Sequence, residues 1–100
     1  MLVFRSPGVG GAAAASVGKR LKQLSRANQV ICVTHLAQIA GFADHHFAVS
    51  KREKDGRVRT DIEELSRKER AREIGRMLSG EQVTAEALKH AEQLIEAGST

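Results

Sequence analysis

The chain has 100 residues, a formal net charge of +4 and 41% hydrophobic residues, with three Phe and no Trp or Tyr. This length predicts one small domain, and its limited core must be aliphatic because few aromatic rings are available. The single Cys32 excludes an internal disulfide and a zinc ribbon, and the chain has neither a signal-peptide pattern nor an apolar run long enough to cross a bilayer, so we expect a cytoplasmic protein.

The first half of the chain predicts a βαβ unit. Residues 2–4 are apolar and suggest the stub of a buried strand, and the glycines and proline of residues 5–11 indicate a loop. Residues 12–27 have a helical apolar period. Val30–Val33 is a continuous β-branched run, typical of an inner strand of a parallel sheet, and a short helix over 36–43 follows.

The second half predicts a hairpin and two helices. Residues 46–54 and 57–65 alternate around Asp55-Gly56, a dipeptide that favours a type I′ turn. Ser66 and Glu69 form a capping-box pattern, and Thr84 is a plausible cap for the last helix. The inward positions of these two helices are predicted to be Ala71, Ile74, Met77, Leu78, Ala87, Leu88, Ala91, Leu94 and Ile95. The order is β-α-β-α-β-β-α-α, and two parallel strands alone leave edges that a larger sheet or a partner would cover.

Several stretches taken together resemble one known family. Residues 29–40 read QVICVTHLAQIA and residues 42–46 read FADHH, which is similar to the RecN family, an SMC-like branch of the ABC ATPases. Residues 2–4 resemble that family's Walker B strand and residues 8–14 the segment after it. The hairpin and residues 76–88 resemble the family's tail, so the resemblance covers essentially the whole chain.

The resemblance implies a partial P-loop NTPase fold of the α/β class, with residues 1–100 forming a single C-terminal lobe of an ABC-type ATPase. The complete family protein would bind and hydrolyse ATP with Mg²⁺ between two heads and act in recombinational repair of DNA double-strand breaks. The implied partners of this chain are DNA and either the missing N-terminal ATPase lobe or a second head in a homodimer, with no membrane.

The chain departs from the family pattern where the ATPase chemistry is expected. The family reads roughly LVFDEVDxGxGG, whereas Arg5, Ser6 and Pro7 replace the segment that carries the three acidic residues. The carboxylates that organise Mg²⁺ and water are therefore missing, and Ala37 replaces the usual proline. The chain also has no G-x-x-x-x-G-K-[ST] phosphate loop. We therefore expect this chain alone to bind no cofactor and to hydrolyse no ATP.

His35 is the leading candidate site residue, because it follows a predicted parallel strand at the edge where open α/β sheets bind ligands. By resemblance it is the H-switch, a catalytic residue whose imidazole contacts the γ-phosphate of ATP. Position alone would favour a histidine that bonds locally. Gly8, Gly10 and Gly11 superficially suggest a cofactor-binding phosphate loop, but no Lys-Ser/Thr pair follows them, and a turn before a helix is the favoured interpretation.

The predicted hairpin is basic around its tip, and the net positive charge favours an anionic partner, although 12 acidic residues are interspersed among the 16 basic ones. The candidate DNA-binding residues are Lys51, Arg52, Lys54, Arg57 and Arg59. DNA phosphates are one candidate ligand, and a solvated edge protected by its charges is the plainer interpretation. No metal site is expected, since the neighbours His45 and His46 would point to opposite faces of a strand.

Three functions remain open from the sequence. The first is a part of a RecN-like ATPase in DNA repair, with ATP bound only when the missing lobe is present. The second is a stand-alone basic DNA-binding module, and the third is a non-functional truncated remnant.

Overall fold

In the computed structural model, which describes residues 1–6, 8 and 10–99, four strands and four helices follow the predicted order. They are β1 (Leu2–Arg5), α1 (Gly11–Leu24), β2 (Val30–Val33), α2 (Ala37–Ala40), β3 (Phe47–Lys54), β4 (Arg57–Glu64), α3 (Arg67–Ser79) and α4 (Ala85–Gly98). The fold is therefore α/β, as the sequence predicts. The predicted loop at 5–11 is shorter at both ends, and Pro7 and Val9 within it lie outside the described residues.

β1 and β2 form a two-stranded parallel sheet, with Leu2 opposite Val30 and Arg5 opposite Val33. Successive residues of a strand point to opposite faces, so Val3 and Ile31 share the face that Val33 also occupies. These three side chains are 69%, 44% and 62% exposed. Within the described chain, helices cover one face of this sheet at most, which agrees with the prediction that two parallel strands alone remain uncovered.

β3 and β4 form the predicted antiparallel hairpin. Asp55 and Gly56 have φ angles of 54° and 74°, the positive values that a type I′ turn requires. The register places the basic residues Arg52, Lys54, Arg57 and Arg59 on one face of the hairpin. The other face carries the apolar side chains Phe47, Val49, Val58 and Ile62, each more than half exposed, together with Lys51, Glu53, Thr60 and Glu64.

The core lies where α2, α3 and α4 meet. It consists of Ala37, Ala40, Ala71, Ile74, Ala91 and Ile95, with Met77, Leu78 and Leu94 packed against it. α3 begins with the predicted capping box: Glu69 N–H donates to Ser66 Oγ at 3.2 Å, and Ser66 N–H donates to Glu69 Oε1 at 2.9 Å. Thr84 Oγ1 caps α4 by accepting from Ala87 N–H at 3.0 Å. Leu88 was expected to face the core but is 37% exposed, because the buried face of α4 is the narrower stripe of Ala87, Ala91 and Ile95.

Two glycines allow backbones to approach closely around Phe42. A Cβ on Gly18 of α1 would lie 2.5 Å from Cδ2 of Phe42, so the ring packs directly on the helix at that point. A Cβ on Gly98 at the end of α4 would lie 2.2 Å from the carbonyl oxygen of Gly41. The segment after α2 therefore sits between α1 and the end of α4.

Candidate functional site

A cleft of about 240 Å³ opens at the carboxyl ends of β1 and β2. Arg5, Ser6, Val33, Thr34 and His35 line this cleft. Ser6 N–H donates to the carbonyl oxygen of Val33 at 3.0 Å, which extends the parallel pairing by one residue and brings the two strand ends together. The edge at which parallel strands end is the usual ligand-binding edge of an open α/β sheet, so the cleft lies where His35 was expected.

Thr34 and His35 have different local roles. Thr34 is half-buried, and its Oγ1 accepts a hydrogen bond from Leu36 N–H at 3.0 Å, which fixes the turn at the end of β2. His35 is exposed, and its side chain forms no hydrogen bond or ion pair with another described residue. The turn that Thr34 stabilises therefore presents the His35 imidazole to the cleft with its nitrogens available.

The cleft offers cationic and neutral groups only. Arg5 and Ser6 come from the end of β1, and the sequence contains no Asp or Glu before Asp44. A bound Mg²⁺ requires one or more carboxylate ligands as a rule, so the residues that line this cleft do not fit that ion. A guanidinium, two hydroxyls and an imidazole instead suit an anion such as a phosphate group.

The three glycines of the β1–α1 connection are not among the residues that line the cleft. Gly10 is the N-cap of α1, with φ −70° and ψ 167°, and its carbonyl oxygen accepts from Ala14 N–H at 2.8 Å. Gly11 is the first helical residue, and Gly8 has open space where a side chain would be. These positions agree with a turn before a helix, and phosphate binding by the three glycines stays a prediction.

The five basic residues of the hairpin are all exposed, but only four of them share a face, because Lys51 lies on the opposite side of the hairpin. The register sets Arg52 opposite Arg59 and Lys54 opposite Arg57, on the same face. Like charges directly opposite each other on a sheet repel and are destabilising. Asp61 relieves part of this repulsion through an ion pair with Arg52 at 3.0 Å. The hairpin tip therefore carries positive charge that a bound anion would stabilise.

The remaining sequence candidates have local roles. His45 is exposed, and its Nδ1 lies 3.1 Å from Glu64 Oε2. His46 is half-buried, and its Nδ1 has no hydrogen-bond partner. Burial of Cys32 raises the pKa of its thiol, which disfavours the reactive thiolate and agrees with a packing role. Among the described residues no group of three His, Cys, Asp or Glu is arranged to hold a metal ion.

Arg70 is a half-buried polar residue whose contacts the sequence did not reveal. Its Nη2 donates to the carbonyl oxygens of Ala40 and Gly41, at 3.0 and 3.2 Å, and so caps the end of α2. Arg70 also acts on His46: burial and then the charge of Arg70 lower the pKa of His46, while Glu73 opposes this shift. In the sequence Arg70 appeared only as one of the basic residues of an exposed helix face, which gave no signal of its position.

The fold and the cleft together define an open α/β protein with polar groups gathered at the carboxyl edge of two parallel strands. Sequence comparison identifies the relatives. The chain is 49% identical over 88 residues to the DNA repair protein RecN of Deinococcus radiodurans, 45% over 89 residues to that of Streptomyces coelicolor, and 41% over 88 residues to that of Bacillus subtilis. These matches confirm the resemblance to RecN, because 88 or 89 residues of this chain align with RecN proteins.

The matching residues cover 88 to 89% of this chain but only 15 to 16% of the length of those relatives. The activities and partners of the complete relatives are therefore not established for this chain by the match. No protein-family model matches the chain. None of the helices in the described part is both long and apolar enough to span a membrane.

Proposed function

We propose that this chain acts in DNA repair as a segment of a RecN-type ATPase head, in which His35 faces the phosphates of a bound nucleotide. The observation that carries the proposal is the cleft at the carboxyl ends of β1 and β2, where the unpartnered imidazole of His35 lies beside Arg5 and Ser6. The identity of up to 49% to RecN proteins supports the same reading. Residues 1–100 would form one C-terminal lobe of that head.

The rest of the nucleotide site would come from outside this chain. The exposed face of Val3, Ile31 and Val33 supports this, because apolar sheet faces in folded proteins are normally covered by another layer. A second ATPase lobe fits that face, and it would also supply the phosphate loop that this sequence lacks. ATP binding, and action on DNA double-strand breaks, would then belong to the assembled head.

The isolated chain should not hydrolyse ATP. The cleft has no carboxylate to hold Mg²⁺ or to orient the attacking water, and both are needed for phosphoryl transfer. Phosphate release by the purified chain, with ATP and Mg²⁺ present, is expected to equal that of buffer. Magnesium-dependent turnover that disappears in the His35→Ala variant would contradict the proposal.

A second candidate function is DNA binding by the basic hairpin, and the opposed pairs Arg52/Arg59 and Lys54/Arg57 favour it. DNA phosphates bound between these pairs would attract both cations of each pair and so offset the repulsion between them. We expect the triple variant Lys54→Ala, Arg57→Ala, Arg59→Ala to bind duplex DNA more weakly and with a smaller dependence on salt.

The matched control for the hairpin removes the same charge from the exposed face of α3, with Arg67, Lys68 and Arg72 changed to Ala. That control should keep most of the wild-type affinity. Equal affinity of the two triple variants would count against a specific role of the hairpin.

A further inference from the structure

The positive charge of this chain is concentrated at one end of its sequence. The first 43 residues contain five Lys and Arg and no Asp or Glu, whereas residues 44–100 contain 11 basic and 12 acidic residues. The net charge of +4 therefore comes entirely from β1, α1, β2 and their connections. Four of the five cations, Lys19, Arg20, Lys22 and Arg26, lie on α1 or directly after it.

The basic side of α1 borders a surface groove of about 280 Å³, which we call the α1 groove. It is lined by Lys19, Lys22, Gln23, Arg26, Phe42 and Ala97. Lys19, Lys22 and Gln23 occupy positions i, i+3 and i+4 of α1, which lie on one side of a helix, and Arg26 borders the groove from the turn directly after α1. The close packing of Phe42 on Gly18, and of the end of α4 on Gly41, forms the other wall. The groove is therefore part of the folded structure and does not depend on a mobile loop.

The cations of the α1 groove are only partly compensated. Lys22 Nζ lies 2.5 Å from Asp44 Oδ1, and the Lys22 side chain is 19% exposed. Lys19 and Arg26 are exposed, and within the described part of the chain their side chains form no hydrogen bond or ion pair. Lys22 is thus fixed by its ion pair, while Lys19 and Arg26, one on each side of it, retain free charge and free donors.

We propose that the α1 groove is a binding site for the phosphate backbone of duplex DNA, separate from the cleft at His35 and from the hairpin. This inference rests on the proposed function in DNA repair, which decides between DNA and other polyanions. Lys19 and Arg26 contact phosphates directly, and Gln23 between them supplies a neutral donor.

The dimensions of the helix fit a linear polyanion. At a rise of about 1.5 Å per residue, α1 advances by roughly 8 Å from Lys19 to its end at Leu24, and Arg26 lies two residues beyond that end. Duplex DNA carries a negative charge about every 1.7 Å along its axis, so a stripe of this length meets several phosphates at once. The side chains that line the groove contain only one aromatic ring, half-buried against α1, so the contacts read the backbone and carry little sequence preference.

The test is a salt titration of DNA binding, measured by fluorescence anisotropy with a labelled 30-base-pair duplex. The double variant Lys19→Gln, Arg26→Gln should lose two phosphate contacts, so its log–log salt slope should be shallower than that of the wild-type chain by about two. When salt rises from about 50 to 200 mM, the fold-loss of affinity should be roughly ten times smaller for this variant than for the wild-type chain. The weakening should be the same for duplexes of unrelated sequence.

Two further variants distinguish direct contact between the α1 groove and phosphates from a general effect of net charge. Lys68→Gln, Arg72→Gln on α3 removes the same charge from another exposed helix face and should keep the wild-type slope to within about half a unit. Lys19→Arg, Arg26→Lys keeps the cations of the groove and should behave like the wild-type chain. Equal melting temperatures of all three double variants, by circular dichroism, would exclude unfolding as the cause.

A reduced slope in the α1 variant alone supports the groove as the phosphate site. Unchanged binding by that variant, or an equal loss in the α3 control, overturns the inference and leaves the proposed function standing. If the wild-type chain binds no duplex DNA at low salt, both the groove and the DNA-binding hairpin are wrong.

Discussion

At the scale of single residues, the most informative side chains are those whose positions depend on distant parts of the chain. The position of His35 after β2 could be predicted because a continuous apolar strand leads directly to it, and such patterns are local. The position of Arg70 could not, since its partners Ala40 and Gly41 are about 30 residues away. Nothing in an exposed-looking run of Arg and Lys indicates which side chain turns inward to cap a neighbouring helix.

His46 should make the stability of the chain depend on pH. Its pKa is lowered in the folded state by burial and by Arg70, so the folded protein prefers the neutral imidazole. A group of this kind contributes stability that is present above its unfolded pKa of about 6.5 and is lost as the pH falls through the lower folded value. The free energy of unfolding in urea should therefore decrease between about pH 7 and pH 5.

The variant His46→Gln should show a shallower decrease over the same pH range, because it has no imidazole to protonate. The exposed His90→Gln on α4 is the matched control and should follow the wild-type curve. A His46→Gln curve parallel to the wild-type one would show that other groups cause the pH dependence.

At the scale of secondary-structure elements, the sequence was a good guide where the determining signal is local. The Asp55-Gly56 turn, the capping box of Ser66 and Glu69, and the Thr84 cap are each set by residues a few positions apart, and all three are present. The exposure of Leu88 could not be predicted, because helical periodicity shows which side of a helix is apolar but not how much of that side is buried. α2 is shorter than predicted, at four residues, because the chain after it packs against α1 and α4 instead of continuing as a helix.

The contact between the end of α4 and Gly41 gives a test at this scale. Gly98→Ala places a Cβ 2.2 Å from the Gly41 carbonyl oxygen, so α4 must shift away from the core. We expect a loss of roughly 1–3 kcal/mol in the free energy of unfolding, the usual cost of overpacking. The control Gly8→Ala adds a Cβ where no atom lies within 4 Å, at a residue outside any helix, and should change stability by less than about 0.5 kcal/mol.

At the scale of the whole molecule, the chain combines a small helical core with two sheets that are open on one face. The sequence predicted the order of elements and the uncovered strands, since two parallel strands cannot cover each other. It predicted the inward faces of α3 and α4 but not that α2 would pack against them, because Ala37 and Ala40 are more than 30 positions from their core partners in those helices. The absence of Asp and Glu before Asp44 is visible in the sequence. It is hidden when the 12 acidic and 16 basic residues are counted over the whole chain.

The central claim is that this chain forms the His35 side of a RecN-type ATPase site, with the phosphate loop supplied by a second lobe, and that its own segment lacks the acidic cluster needed for hydrolysis. The most direct measurement is phosphate release by the RecN protein of Deinococcus radiodurans, with its matching segment replaced by this chain. We expect turnover at least about a hundredfold below that of the parent, because a positioned carboxylate contributes at least that much. Replacing Arg5, Ser6 and Pro7 of this graft by the parent's acidic segment should restore turnover. A first graft as active as the parent, or a folded second graft that stays inactive, would contradict the claim.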